Sequence, residues 1–545
     1  MRESLFTGNI AKHLEKNAHR LPNSIAVLFH SNPSSKKTFS QLYEDVINCA
    51  SFFTKKGIKK RERTLVLVKP GYELIICCFG LLYIGAIPVI IDPGMGISSL
   101  LNCIKITKPK NIISIPLIVW SSYFFRTTFS SIKLRVTVKN NYSDKIRNYS
   151  KTDKPKIHEA KDTELAAIIF TSGSTGKPKG VRYLNLNFNA QIQVLQDEFG
   201  IKEGEIDLVT LPVFSLFNPA LGVTSVIPKI NPRKPASAKA EFLVKAILDH
   251  KTTTAFCSPV IGNKIATYCD TCSISLPSIK RIMLAGAPSS PDLVESLANR
   301  LPAGKVIIPY GATEALPVSY SDNAQIKSLY KSIISGEGSN LGRPIKNISI
   351  LIMPIRNSPL PNENEEVINP IKMEFEVGEI CVAGNTVTDG YDRMPGATRD
   401  ARFIYKSKDY HRMGDLGYWD REGNLRFMGR KVECFQTEVG PVQTEKFEPL
   451  INNISGVERC ALIGIGEEKI KEPCLVVVVD RSISKEITKE IRSHLSREFP
   501  EHNIKRIFVE RKLPVDARHN AKIHRLSLAR KWSDKVSKNQ NLGLD

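Results

Sequence analysis

The chain has 545 residues, 42% of them hydrophobic, and its 77 Lys plus Arg against 55 Asp plus Glu give a formal net charge of +22. A chain this long exceeds one ordinary core and divides into domains, and its apolar fraction is enough to fill them. The positive field suits anionic ligands, but the lysines are spread along the chain with no zinc-finger spacing or other nucleic-acid signature, which speaks against nucleic acid and for a solvated surface.

In chain order, Met1-Arg2-Glu3-Ser4-Leu5-Phe6 runs into charged residues, not a signal-peptide core. The eleven cysteines are scattered and odd in number, which argues for a reducing compartment and a cytoplasmic protein. Thr64 to Val68 reads as a strand. The uncharged run Leu74 to Ile91 just reaches membrane-spanning length, but Gly80, Gly85 and Pro88 interrupt it. It is read as a helix from Glu73 to Tyr83 and a buried strand ending at Ile91, with Cys77 and Cys78 as core. Asn111 to Ile115 is a further strand, and Asn140 to Glu159 is polar enough for a surface linker. The apolar run Leu165 to Phe170 predicts a buried strand. Cys269-Asp270-Thr271-Cys272 is a lone C-x-x-C with no second pair at zinc spacing, and reads as structural. Arg281 to Ala285 and Lys305 to Ile308 are strands, and Arg356 to Glu366 is an exposed loop. The alternation of strand and helix is the pattern of parallel α/β layers. A boundary falls near Arg430-Lys431. Beyond it Ala461 to Ile465 and Cys474 to Val479 are strands and Ser484 to Phe499 a helix, an α+β unit. The expected division is 1–429, 430–531 and a frayed tail 532–545.

After the buried strand comes Thr171-Ser172-Gly173-Ser174-Thr175-Gly176-Lys177-Pro178-Lys179-Gly180. Glycines let the backbone approach a ligand and turn its N–H groups inward, while hydroxyls and lysines add donors and charge. That combination suits a triphosphate. It is not the common P-loop, because Pro178 follows Lys177 where Ser or Thr is needed.

This decapeptide resembles the phosphate-binding signature of the adenylate-forming superfamily of acyl-CoA ligases, peptide-synthetase adenylation domains and luciferases. Further blocks follow in the superfamily's order: Tyr310-Gly311-Ala312-Thr313-Glu314; Gly378-Glu379-Ile380 with Gly384 and Gly390-Tyr391; Gly414-Asp415; Gly429-Arg430; and Asn520-Ala521-Lys522. The resemblance runs from about Asn9 to about Lys531. It implies an α/β fold with a large N-terminal adenylate-forming domain of layered sheets and helices and a small mobile α+β C-terminal domain. It also implies ATP and Mg²⁺ as cofactors and a small-molecule carboxylate as substrate.

The implied roles follow residue by residue. Thr171, Ser172, Gly173, Ser174, Thr175, Gly176 and Lys179 would hold the phosphates, and Tyr310 and Gly311 the nucleotide. Thr313 would contact the α-phosphate and Glu314 would ligate Mg²⁺. Asp415 and Arg430 would take the ribose side. Lys522 would be carried in by the small domain to bridge carboxylate and α-phosphate, where charge gathers in the transition state.

Two departures bear on the second half-reaction. Leu211 to Gly222 lacks the acyl-site histidine usual in acyl-CoA ligases, and Gly429 to Pro441 lacks their hinge carboxylate and thiol-route glycine pattern. Both match a subgroup that the blocks around Asn218, Glu314, Asp415 and Lys522 resemble closely, the β-lactone synthetases of bacterial long-chain olefin biosynthesis. The resemblance implies adenylation of a 2-alkyl-3-hydroxy fatty acid and intramolecular closure to a β-lactone, with no CoA. Phe214, Phe217 and Leu221, with Leu216, are expected at the acyl site. His411 and His519, flanking Asp415 and Lys522, are candidates for the base. The alternatives are a long-chain fatty-acid–CoA or fatty acyl-AMP ligase and, in another class, a non-catalytic nucleotide-binding module. Peripheral contact at the inner membrane surface and assembly with neighbouring pathway enzymes are the partner expectations beyond the substrate.

Overall fold

The computed structural model describes residues 7–139, 141–147, 149, 154–171, 178–211, 214–231, 237–362, 369–466, 469–480, 482–515 and 522–541. The apolar run at 74–91 forms the helix Tyr72–Tyr83 and the strand Ile87–Ile91. Leu74 to Leu81 are buried on every face, so the helix lies inside an α/β layer. Gly80 permits this depth, because a Cβ there would stand 3.1 Å from Cys49 Cβ and 3.3 Å from the Ala50 amide on the neighbouring helix Phe39–Lys55. No helix among the described residues is long and apolar enough to cross a membrane.

Two large sheets carry the first 430 residues. One has six strands in the order Leu134–Thr137, Asn111–Ser114, Arg63–Leu67, Ile87–Ile91, Leu165–Thr171, Lys179–Leu184. Its first five strands are parallel and the last is antiparallel. Thr171 pairs with Lys179, so the strands before and after the glycine-rich segment are adjacent and antiparallel. The other sheet has fourteen strands. Its parallel half includes Ile206–Val209, Thr254–Cys257, Arg281–Leu284 and Lys305–Ala312. Its antiparallel half runs from Ala315–Asp322 through Ser339–Pro344, Leu425–Arg430, Lys408–Trp419 and Gly378–Gly384. Beyond residue 430 a separate three-stranded sheet, Val457–Ile465, Glu472–Val479 and Arg506–Glu510, is packed by two apolar clusters drawn from residue 435 onward.

The structure differs from the sequence reading in two places. The segment expected as a surface linker contains the helix Tyr142–Ile146, with Tyr142 and Ile146 buried and the Tyr149 ring 4.9 Å from Phe52. The apolar residues there have helical spacing, which the polar average of the segment hides. The tail expected to fray from 532 is part of the helix Arg525–Asn541. Leu528, Trp532 and Val536 form one face of it against the three-stranded sheet, and Trp532 stacks on Phe508 at 3.9 Å and 8°. All eleven cysteines are free thiols, with Cys269 buried and Cys272 exposed.

The Trp532 ring closes the outer layer of the small unit. Trp532→Ala should lower its stability in urea unfolding by about 2 kcal/mol, less than the ~3–5 kcal/mol of a fully buried ring because this one is half-buried. An unchanged midpoint would show that the helix contributes little.

Candidate active site

Thr313 and Glu314 are the two-residue tip of the hairpin between Lys305–Ala312 and Ala315–Asp322, where Ala312 pairs with Ala315. Gly311 is required by close approach, since a Cβ would lie 2.5 Å from the Ala315 carbonyl oxygen. The Glu314 backbone carbonyl accepts from the Thr388 amide (2.9 Å) and hydroxyl (3.1 Å), which anchors the tip. The Thr313 carbonyl accepts from the Tyr183 hydroxyl at 2.7 Å. Glu314 Oε1 accepts from the Tyr391 hydroxyl at 2.9 Å, and the Lys179 ammonium lies 4.7 Å from the centre of the Tyr391 ring. Tyr391 thus stands between the cation at the end of the glycine-rich hairpin and the carboxylate at the turn.

Asp415 and Arg430 are direct cross-strand partners. The Tyr310 hydroxyl donates to Asp415 Oδ2 at 2.7 Å, and Arg430 Nη1 lies 3.0 Å from Oδ1. That second approach is an ion pair without hydrogen-bond geometry, so Oδ1 is a buried acceptor with no hydrogen bond among the described residues. Burial raises the Asp415 pKa, opposed by Arg430, Tyr310 and the charge of Lys522. The ion pair with Asp415 raises that of Arg430. Burial raises the Glu433 pKa too, and Arg525 and Lys522 oppose it. Lys522 is therefore within electrostatic reach of both carboxylates.

An aromatic path leads from the turn into the apolar interior. Tyr183 stacks on Phe188 at 5.1 Å, and Phe188 meets Phe217 edge-on at 6.1 Å. Phe217 and Leu221 then line a small cavity with Leu195, Phe256 and Met283. At one side of it Asp207 Oδ2 accepts from Asn218 Nδ2 at 2.9 Å, and burial pushes the Asp207 carboxyl up to about 7. The side chains of Thr171 and Phe214, residues 172–177 with Ser172, Gly173, Ser174, Thr175 and Gly176, and His519 lie outside the described residues. His411 is buried beside Tyr391, and burial together with Arg402 and Lys179 pushes its pKa down to about 3. A ring that binds a proton only in acid is a weak base at neutral pH.

The sequence reading missed several residues here. Tyr391 lies in a quoted block but was given no role. Glu379 is 1% exposed and accepts from Arg412 Nη2 at 2.6 Å and from Lys431 Nζ at 2.9 Å on both oxygens. Asp207 lies 11 residues from its Asn218 partner. Arg525 Nη1 pairs with Glu433 at 2.8 Å and Nη2 with Glu448 at 2.6 Å. Glu379 and Lys431 are 52 residues apart with no periodicity to join them, so one chain carries no signal for the pair.

Residues 14–392 match the model of the AMP-binding enzyme family. The chain is 37% identical over 487 residues to an olefin β-lactone synthetase of Stenotrophomonas maltophilia, covering 87% of each protein. It is 33% identical to an olefin β-lactone synthetase of Xanthomonas campestris, covering 96% of this chain and 97% of that one. Among solved structures, an amide bond synthetase of Marinactinospora thermotolerans superposes with a TM-score of 0.78 at 18% identity, over 96% of this chain and 99% of that one.

The raised Asp207 pKa gives a stability signature. The folded chain holds this proton up to about pH 7, whereas the unfolded chain releases it near its ordinary value of 3.8. Stability contributed by this group is full below pH 3.8 and falls as pH rises towards 7, by at most about 1.4 kcal/mol per pH unit. Asp207→Asn should flatten that slope in urea titrations between pH 4 and 7. Parallel slopes for the two proteins would mean that Asp207 is ionised in the fold.

Proposed function

The chain belongs to the AMP-binding enzyme family as an AMP-forming ligase, and on that premise we propose that it adenylates a 2-alkyl-3-hydroxy long-chain fatty acid with ATP and closes it to a β-lactone. One observation carries the reading. The Thr313-Glu314 turn lies between the charged group Asp415, Arg430 and Tyr310 and an aromatic path ending at Phe217 and Leu221. Near-full-length similarity to two olefin β-lactone synthetases supports the product.

In the first step a carboxylate oxygen attacks the α-phosphorus, and pyrophosphate leaves. Thr171, Ser172, Gly173, Ser174, Thr175, Gly176 and Lys179 hold the phosphates, and Thr313 the α-phosphate. Asp415 Oδ1, buried and without a hydrogen bond among the described residues, accepts from a ribose hydroxyl, while Tyr310 and Arg430 keep the carboxylate in place. Magnesium fits Glu314, which keeps Oε2 free of hydrogen bonds among the described residues while Tyr391 takes Oε1. A carboxylate oxygen suits this hard cation, which when bound would screen the phosphoryl charge. The unit beyond residue 430 serves as a mobile cap carrying Lys522, whose positive charge stabilises the pentavalent phosphoryl group.

In the second step the 3-hydroxyl oxygen attacks the acyl carbon. A ring C–O bond forms, the acyl–phosphate C–O bond breaks, AMP leaves and the hydroxyl proton is released. Nucleophile and electrophile belong to one molecule, so holding the chain folded in an apolar cleft supplies much of the acceleration. Phe217 and Leu221 would line that cleft, and Phe214 is assigned to it from the sequence alone.

Two measurements test the reading. Lys522→Ala should fold normally and lose ATP-dependent turnover by about 10² or more, as expected on removal of a charge-stabilising group. Near-normal turnover would remove Lys522 from the chemistry. A 2-alkyl-3-hydroxy acid with ATP and Mg²⁺ should give lactone, AMP and pyrophosphate, with or without CoA, and the 3-deoxy analogue should stop at the bound adenylate. An acyl-CoA thioester with no lactone in mass spectrometry would make the protein a fatty-acid–CoA ligase.

A further inference from the structure

The crossover between the strand Asn111–Ser114 and the edge strand Leu134–Thr137 displays an unusual surface. It begins with the helix Pro116–Ser121 and continues through turns to residue 132. Leu117 is 67% exposed, Trp120 62%, Tyr123 59% and Phe124 66%, with Phe125 at 46%. Trp120 and Phe124 contact each other edge-on at 4.6 Å, so the rings form one patch.

This patch is held from below. Val119, Phe129 and Ile132 are buried. Ser122 is buried, donates to the Val119 carbonyl at 2.6 Å and accepts from Arg135 Nε at 2.9 Å. The Arg135 guanidinium lies 4.5 Å from the centre of the Tyr123 ring. The rings are thus presented by a packed base, and their exposure is a feature of the fold.

Charge identifies the partner. Residues 93–143 contain no Asp or Glu and seven basic residues: Lys105, Lys108, Lys110, Arg126, Lys133, Arg135 and Lys139. Lys110 pairs with Glu62 at 3.1 Å. Arg126 is exposed within the aromatic turn, and Lys133, also exposed, donates its amide to the Lys110 carbonyl, which brings the basic turns together at the foot of the crossover. Trp, Tyr and Phe on an apolar ridge, with Arg126 in the same turn and Arg135 against Tyr123, suit the boundary between lipid headgroups and acyl chains. A second copy of this chain suits it less, because two such patches would bring like charges together.

We propose that the surface formed by Leu117, Trp120, Tyr123, Phe124, Phe125 and Arg126 docks on an anionic phospholipid bilayer. The docking is independent of which acid the enzyme adenylates. The rings enter the interfacial layer while Arg126 and Lys133 meet lipid phosphates.

Co-sedimentation with vesicles tests this. The full chain should bind vesicles of equal parts phosphatidylglycerol and phosphatidylcholine at least about tenfold more tightly than pure phosphatidylcholine, and added salt should weaken the binding. The variant W120S/F124S should keep the wild-type melting temperature and lose at least about tenfold of that binding. The variant R126E/K133E should lose the preference for phosphatidylglycerol while keeping its rings. Absence of wild-type binding to the mixed vesicles, or equal binding by W120S/F124S, would overturn the proposal. So would a wild-type dimer that W120S/F124S abolishes, with no vesicle binding by either protein, which would assign the patch to a second copy.

Discussion

The carboxylate of Glu379 is the constraint on which the site rests. It is almost wholly buried and accepts from Arg412 and Lys431. A buried carboxylate is tolerated when paired, and removing one partner of such a pair costs about 3–5 kcal/mol. Arg412 lies on the strand that also carries Asp415, and Lys431 follows Arg430. By holding both cations, Glu379 sets the register of Lys408–Trp419 against the end of Leu425–Arg430. That register puts Asp415 opposite Arg430 and within 2.7 Å of the Tyr310 hydroxyl. Lys431 and Arg412 also donate to the Arg356 carbonyl, so the loop before residue 362 is tied into the same knot.

A second buried charge cluster sets where the C-terminal unit meets this frame. Arg525 bridges Glu433, just after the last strand of the large sheet, and Glu448, on the helix Thr444–Asn452. Glu448 Oε1 also accepts the Leu462 amide at 2.8 Å, which locks that helix to the three-stranded sheet. Glu445 on the same helix accepts from Ser339 of the large sheet, and burial pushes it up to about 7. Arg525 lies three residues after Lys522, so the anchor of this cluster also holds the backbone that presents the lysine to Asp415 and Glu433.

The two halves of the site differ in kind. Around Asp415 and Glu314 the side chains are polar, paired and aimed by hairpins. Along Tyr183, Phe188 and Phe217 they are aromatic and packed at van der Waals distances, ending in the apolar cluster of Leu195, Leu221, Phe256 and Met283. The helix Asn185–Asp197 belongs to both. Its Gln191 donates to the Leu316 carbonyl beside the turn at 2.9 Å, and its Ile192 and Leu195 enter the apolar cluster. Polar fixation thus gives way to apolar packing along one helix.

Much of this was legible in the residues. The helix at 73–83 followed by a strand, the strand before the glycine-rich loop, and the strands and helix beyond residue 460 follow from local periodicity, while the resemblance of ordered short blocks singled out Tyr310, Asp415 and Arg430, which lie against one another. Apolar spacing dictates local structure because each element must bury one face wherever it goes. Other features lay in tertiary contact. Tyr142 and Ile146 sit in a polar segment, and Trp532 in a polar tail; the first two become core and the third packs half-buried against it because a distant surface, Phe52 or Phe508, is there to receive them. The Glu379–Lys431 pair, the Arg525 cluster and the raised pKa of Asp207 exist because folding removes water from charges that are far apart in the chain or surrounds them with apolar residues. The sequence alone determined which elements form and which chemical groups they carry; the tertiary structure decided which charges meet without water, since desolvation depends on neighbours that one chain read in order does not reveal.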